Sequence, residues 1–472
     1  MSAAPATEPL WMWPATALAA GYRSGRVTPL EVTRACLARI DKVNPQINAF
    51  VALRETVLAD AEASTARFRS GQPLSALDGI PLSIKDNLCT ADLPTTWGSP
   101  ALRVHPPTPR DELPVARARA AGALVVGKTN VPEFTLEGYT GNPVFGVSRN
   151  PWDLALTPGG SSGGAVASVA AGCTPLALGT DGGGSIRRPA SHCGLVGFKP
   201  SIGAIARDNG LPTLLLDFEV VGPMARTVAD VQLLFHALRG PHPADRSSLA
   251  GQAGASAPPP TPLRVLYVPT LDQAPVDPDI ASACARAADQ LRALGHEVHV
   301  GTLPLDIAAL TRQWPTVGQI GLAALFAEEP AWRALASPKY QQMAEQGQAE
   351  SAASLWALLD TVARLRRDCA ALFGQIDLIA MPSAAALPWP AAEAFPTTIA
   401  GQAVGPRGHA VFTGWVNAAG LPAVSVPTAP APSGLPIGIQ LIGPYGADDR
   451  VLAVAAALET QAPWAQRRPP LP

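Results

Sequence analysis

Several things are scarce in this chain of 472 residues. Charged residues make up 15% of it, and 35 Lys and Arg are balanced by 37 Asp and Glu, for a formal net charge of −2. No run of Lys or Arg exists, so the footprint of a nucleic-acid binder is missing. No apolar run is long enough to span a bilayer. The first residues, MSAAPATEPLWMWPATALAA, carry no positive charge ahead of their apolar part, which excludes a secretory leader. The six cysteines (Cys36, Cys89, Cys173, Cys193, Cys284 and Cys369) form no CxxC pair. Free thiols in a reducing cytoplasm are expected, with neither a disulfide framework nor a zinc site. The seven histidines are scattered without ligand spacing. His296 and His299, in LRALGHEVHV, read as a helix end running into a strand. Neither glycine cluster forms GxGxxG with an acid about twenty residues on, which weakens a nucleotide-binding reading.

What is abundant is apolar residue, 47% of the chain, enough for a large core. Thr28-Pro29-Leu30-Glu31 is a helix start, with a capping threonine, proline at the first helical position and an acid in the first turn. Leu30, Cys36 and Ile40 continue the period, and Cys36 is expected to pack. Strand and helix then alternate to about residue 235, which predicts a large, mixed, mostly parallel sheet covered by helices on both faces. The expected division is one domain over 1–472: N-terminal helices (1–75), a core (76–235), a Pro/Gly-rich surface loop (240–262), a mainly helical part (263–375), and C-terminal strands with a closing helix (376–472).

Glycine is concentrated in one place. Residues 157–189 read TPGGSSGGAVASVAAGCTPLALGTDGGGSIRRP, with Gly159, Gly160, Gly163 and Gly164 before an apolar helix and strand, and Gly182, Gly183 and Gly184 after them. Glycine weakens ordered structure, so such clusters need a reason. Successive backbone N–H groups at a GGGS turn can face one concavity and hold an oxyanion or a phosphate. The serines need a base. His192 is the nearest histidine, seven residues after Ser185, and nothing in the local sequence gives a histidine triad specific support. Lys85, in SIKDN, and Lys128, in VVGKTN, each follow or end an apolar strand and lose proton affinity if buried. Spacing does not choose between them. Asp181 and Arg187 flank the second glycine turn and are expected to pair and brace it.

Four blocks taken in order, GIPLSIKDN (79–87), GKTNVPEF (127–134), GGSSGG (159–164) and GTDGGGSIRRPASHCGLVGFKPS (179–201), resemble the amidase signature family of serine hydrolases. TPLEVTRACLARIDKVNPQINAFV (28–51) and NAAGLPAVSVPT with GLPIGIQLIGP extend the resemblance over nearly the whole chain, most weakly between about 240 and 375. The resemblance implies an α/β amidase signature fold and a Ser–cis-Ser–Lys triad. By motif position, Lys85 is the general base, Ser161 the bridging serine beside a cis peptide, and Ser185 the nucleophile. Backbone N–H groups of Gly182, Gly183, Gly184 and Ser185 form the oxyanion hole. The implied reaction is hydrolysis of a carboxylic amide through an acyl-enzyme, with no cofactor and no metal. The expected partner is a small-molecule amide, without nucleic acid or membrane, and a homodimer is left open.

The related amidotransferase A subunit carries a tyrosine-leucine-x-aspartate stretch before its N-x-AGLP segment, and its acid binds the glutamine amino group. Here GPRGHAVFTGWVNAAGLP (405–422) has no acid, with His409 and Ala410 near that place. A stand-alone amidase is therefore favoured over a component supplying ammonia to a partner. A non-catalytic scaffold is disfavoured because Lys85, Ser161 and Ser185 are all present. Arg188 is a candidate reader of a substrate carboxylate, weighed against a solvent-facing role. Trp314, Trp389, Phe412 and Trp415 are candidates for an apolar substrate pocket, Trp415 foremost.

Overall fold

The computed structural model describes residues 8–250 and 262–472. Its strands in chain order are β1 (Phe50–Leu53), β2 (Pro81–Lys85), β3 (Leu124–Thr129), β4 (Gly141–Asn142), β5 (Gly146–Val147), β6 (Leu176–Asp181), β7 (Val196–Lys199), β8 (Val220–Ala225), β9 (Arg264–Tyr267), β10 (Glu297–Val300), β11 (Leu378–Pro382), β12 (Thr398–Ile399), β13 (Gln402–Ala403), β14 (Ala423–Pro427) and β15 (Gly438–Ile442). Eleven of them form one sheet in the order β1-β3-β2-β6-β8-β7-β14-β15-β11-β9-β10. The other four make two short hairpins.

The expected sheet is present, and it is mixed. Parallel pairs lie toward the two flanks, at β2–β3 and β2–β6 on one side and β9–β10 and β9–β11 on the other. The middle, from β6 through β8, β7, β14 and β15 to β11, is antiparallel throughout. The alternating pattern anticipated more parallel pairing than this. Helices do follow β6 and β8, but antiparallel neighbours need no long crossover, and the central strands pair that way. β1 is a second difference. Its four residues FVAL sit within the stretch expected to be helical, and they form the antiparallel sheet edge against β3. A short apolar run does not separate strand from helix by period.

The central strands read as continuous apolar runs because both faces are covered. β2, β3, β6, β8, β14 and β15 are buried at every position. One face packs with helix Val228–Leu238, helix Pro278–Ala293 and closing helix Asp448–Gln461 into the largest core cluster. The helix start at Thr28 forms as expected: Thr28 accepts from the Glu31 N–H, and the Glu31 side chain reaches back, over helix Pro29–Ile47. Cys36 is fully buried on that helix, and all six cysteines are buried and free. The surface loop expected over 240–262 contains a short helix, Arg246–Ala250, and its remainder from 251 to 261 lies outside the described residues.

Candidate active site

β2 and β6 are parallel neighbours, so their C-terminal ends share one edge of the sheet. In open α/β sheets this edge is where ligands bind. Lys85 is the last residue of β2, and Asp181 is the last of β6, directly before Gly182-Gly183-Gly184-Ser185. Ser161 and Ser162 come just before helix Gly163–Ala170, which is buried at every position and runs back to β6. The two glycine loops thus flank one helix and one strand and meet at its far end. The Ser162 N–H donates to the Ser185 carbonyl at 3.2 Å and ties them together.

The peptide between Gly160 and Ser161 is cis. A side chain at Gly160 would collide with the Tyr139 carbonyl, 2.3 Å from an added Cβ. Gly184 has φ +111°, a backbone conformation that L side chains rarely adopt, and an added Cβ there would lie 2.3 Å from Thr413 Oγ1. These two positions explain why the loops need glycine.

Lys85 is fully buried. Its Nζ lies 2.8 Å from Ser161 Oγ, 2.8 Å from Thr180 Oγ1 and 3.2 Å from the Thr180 carbonyl. No carboxylate touches it among the described residues. Burial pushes its pKa down to about 7, against weaker opposing pulls from Glu219 and Asp181. A neutral amine has two donors and one lone pair. Two N–H groups on Thr180 and a lone pair facing the Ser161 hydroxyl satisfy all three contacts. Ser161 is 1% exposed and Ser185 8%, so of the three side chains Ser185 is the one that reaches solvent. Ser185 Oγ makes no hydrogen bond to the described residues, Ser161 included.

The second loop is built around Asp181. Its carboxylate accepts from the Gly184 N–H at 2.6 Å and the Ile186 N–H at 3.0 Å. Arg187 meets it side-on, Nη2 to Oδ1 at 3.0 Å and Nε to Oδ2 at 3.1 Å. Burial works against the ionised carboxylate, but the Arg187 guanidinium outweighs it and holds Asp181 well below the usual carboxylate range. Arg187 also donates to Gln440 Oε1, Asn417 Oδ1 and the Thr413 carbonyl, and Asn417 Nδ2 returns to Asp181 Oδ1 at 2.9 Å. The Gly184 N–H, expected among the oxyanion donors, is therefore turned to Asp181. Among the described residues no protein acceptor meets the N–H of Gly182, Gly183 or Ser185.

Arg188 is 4% exposed, so it does not face solvent. Its Nη1 donates to the Gly183 carbonyl and, at 3.0 Å, to Thr413 Oγ1, while Nη2 lies 3.4 Å from the Gly160 carbonyl. One guanidinium thereby touches both glycine loops.

The rival bases lie elsewhere. Lys128 is equally buried, but its Nζ is 3.3 Å from Asp86 and donates to the Leu88 carbonyl and Thr95 Oγ1. His192 puts Nε2 3.2 Å from the Ala386 carbonyl and packs edge-on against Trp389. Burial lowers its pKa to about 4, and it touches no serine of the site. Among the described residues no cluster of three or more metal-ligating side chains occurs, and no helix is long and apolar enough to cross a membrane.

Sequence reasoning missed the partners that set the site. Thr180, Asn417, Gln440 and Thr413 were unassigned, although Thr180 stands inside the GTDGGGS block and Asn417 inside NAAGLP. Of the expected pocket aromatics, Trp314 and Trp415 line one cavity of about 460 Å³. Phe412 is buried in the core, and Trp389 packs between His192 and His409.

Fold and site together define an enzyme of the amidase signature class. The chain belongs to the Amidase family, whose profile matches residues 31–452. The A subunit of the glutamyl-tRNA(Gln) amidotransferase of Chloroflexus aggregans is 36% identical, over 97% of this chain and 97% of its own. Among solved structures, a bacterial aryl acylamidase of the same class superposes with a TM-score of 0.86 at 28% identity, covering 97% of this chain and 98% of that one. A 6-aminohexanoate cyclic dimer hydrolase in complex with substrate is similar, with a TM-score of 0.86 at 29% identity over 98% and 100% of the two chains. This chain is an amide-hydrolysing enzyme.

Proposed function

We propose that this protein is a stand-alone amidase that cleaves a carboxylic amide to an acid and an amine or ammonia. Ser185 is the nucleophile, Ser161 the relay and Lys85 the general base. Ser185 Oγ attacks the amide carbon as its proton passes to Ser161, and Ser161 gives its own proton to Lys85 Nζ. The carbonyl oxygen becomes an oxyanion held by the N–H groups of Gly182, Gly183 and Ser185, while Gly184 shapes the turn through Asp181. The C–N bond then breaks. The proton on Lys85 returns through Ser161 to the departing nitrogen, and water releases the acid from Ser185 by the same route.

One observation carries the reading: Lys85, buried without a carboxylate, stands 2.8 Å from Ser161 Oγ with its pKa drawn down to about 7. A base poised near the working pH is what proton transfer needs. Arg188 is assigned as a positioning residue rather than a reader of substrate, because its Nη atoms are spent on the Gly183 and Gly160 carbonyls and Thr413.

A second reading, an ammonia-supplying amidotransferase component, is favoured by the 36% identity to the Chloroflexus aggregans protein, against 28% for the aryl acylamidase. His409 and Ala410 occupy the region where the acid of such a component is expected, and both are buried. Burial, followed by the neighbouring Arg188 and Arg407 charges, drives His409 well below its ordinary value, leaving it neutral and a poor partner for an ammonium. The test is a panel of neutral and anionic primary amides, anilides and glutamine, with product release measured beside Ser185→Ala. Release from amides or anilides that vanishes in the variant supports the stand-alone enzyme. Glutamine as the sole substrate would move the reading to the ammonia supplier.

A further inference from the structure

One wall of the cavity of about 460 Å³, the Trp314 side chain, reaches the second glycine loop. Trp314 joins the two. Its indole lines the cavity and also abuts Gly183, where an added Cβ would fall 2.9 Å from the ring. Gly414 and Trp415, next to Thr413 of the Arg188 contact, complete that wall. The volume is that of a small-molecule site. Its side chains are almost all apolar: Ile307, Leu310, Trp314, Val411 and Trp415 dominate, and Arg407 is the only ionisable one.

Arg407 is exposed, and its guanidinium lies over the Trp314 ring, 4.8 Å from the centroid. Among the described residues no acceptor meets it. Packing of the guanidinium against the protein draws its pKa down to about 10, still charged at neutral pH, and the carboxylate that pulls it back, Glu137, is itself in contact with Lys339. An apolar chamber whose one charged wall is an unpaired cation suits a ligand with an apolar body and a single negative end. A neutral apolar ligand would leave the arginine unused, and a cationic one would be repelled.

We infer that this cavity holds the non-reacting part of the substrate, an aryl or alkyl group bearing a carboxylate, with Trp314 and Trp415 packing the body and Arg407 pairing with the anion. The inference rests on the amidase reading for its link to catalysis, but the binding itself does not. It also moves the carboxylate reader from Arg188, which is buried on backbone carbonyls, to Arg407, which is free.

The test uses the full chain carrying Ser185→Ala and calorimetric titration with 4-phenylbutyrate and the neutral 4-phenylbutanol. The acid should bind more tightly than the alcohol, and Arg407→Gln should weaken the acid roughly fivefold to tenfold and erase that preference. Val411→Phe, which fills the cavity from a half-buried position, should weaken both ligands while the melting temperature holds. In the active enzyme 4-phenylbutyrate should inhibit amide hydrolysis competitively. Equal affinity for acid and alcohol, indifference to Arg407→Gln, or non-competitive inhibition would each overturn the inference. Binding as expected from a protein that hydrolyses no amide would instead sink the amidase reading and leave the cavity's ligand in place.

Discussion

Lys85 and Lys128 end or nearly end neighbouring parallel strands, and both are fully buried. Burial pushes both amines down. What differs is the company. Lys128 has Asp86 at 3.3 Å pulling it back, a backbone carbonyl and a threonine hydroxyl, and it is a structural ion pair. Lys85 has two hydroxyls, one carbonyl and no carboxylate in contact. The lesson is that burial alone does not make a base. On the proposed reading, Lys85 becomes one because no carboxylate in contact neutralises its charge and the Ser161 hydroxyl waits at its lone pair.

The contrast can be broken from either side. Lys85→Met should lower kcat by about 10² to 10⁴, the usual worth of a general base, with the denaturant midpoint steady or raised because an apolar chain replaces a buried amine. Lys128→Met should do the reverse. It strands Asp86 and costs about 3–5 kcal/mol of stability, read as a lower denaturant midpoint, while the folded fraction keeps its labelling chemistry. Below pH 7 the wild-type rate should fall about tenfold per unit, because the charged Lys85 cannot accept a proton. The same shift acts on stability. Between the folded value of about 7 and the ordinary lysine value of 10.5 the unfolded chain binds more protons, so this contribution rises with pH across that window and is lost on descent to 7. Lys199, also drawn down to about 7 by burial, adds the same slope and should persist in Lys85→Met. The smallest effect belongs to Thr180→Val. Losing an acceptor that favours the ammonium should move the acid limb to lower pH, by less than about one unit for one hydrogen bond.

Much of the site was legible as blocks. GIPLSIKDN put Lys85 at a strand end, and the two glycine clusters put Ser161 and Ser185 at loop ends, where structure brings β2 and β6 side by side. The Asp181–Arg187 brace was readable from its spacing and is present. The rest was illegible because it is long-range. Thr180 is 95 positions from Lys85, and Asn417 and Gln440 are 230 and 253 from Arg187. No local pattern announces such partners. Arg188 resisted for a related reason. Sequence shows a second arginine beside the first, but only the fold shows that its guanidinium turns inward onto Gly183 and Gly160. The antiparallel middle of the sheet was hidden because buried strands look alike in either direction.

The most direct test of Lys85 as the base for Ser185 is the rate at which a fluorophosphonate labels Ser185, measured from pH 5 to pH 9 in the wild type, Lys85→Met and Lys128→Met. The wild type and folded Lys128→Met should share an acid limb near 7, and Lys85→Met should label slowly at every pH. Labelling of Lys85→Met at the wild-type rate, with the same limb, would contradict the account.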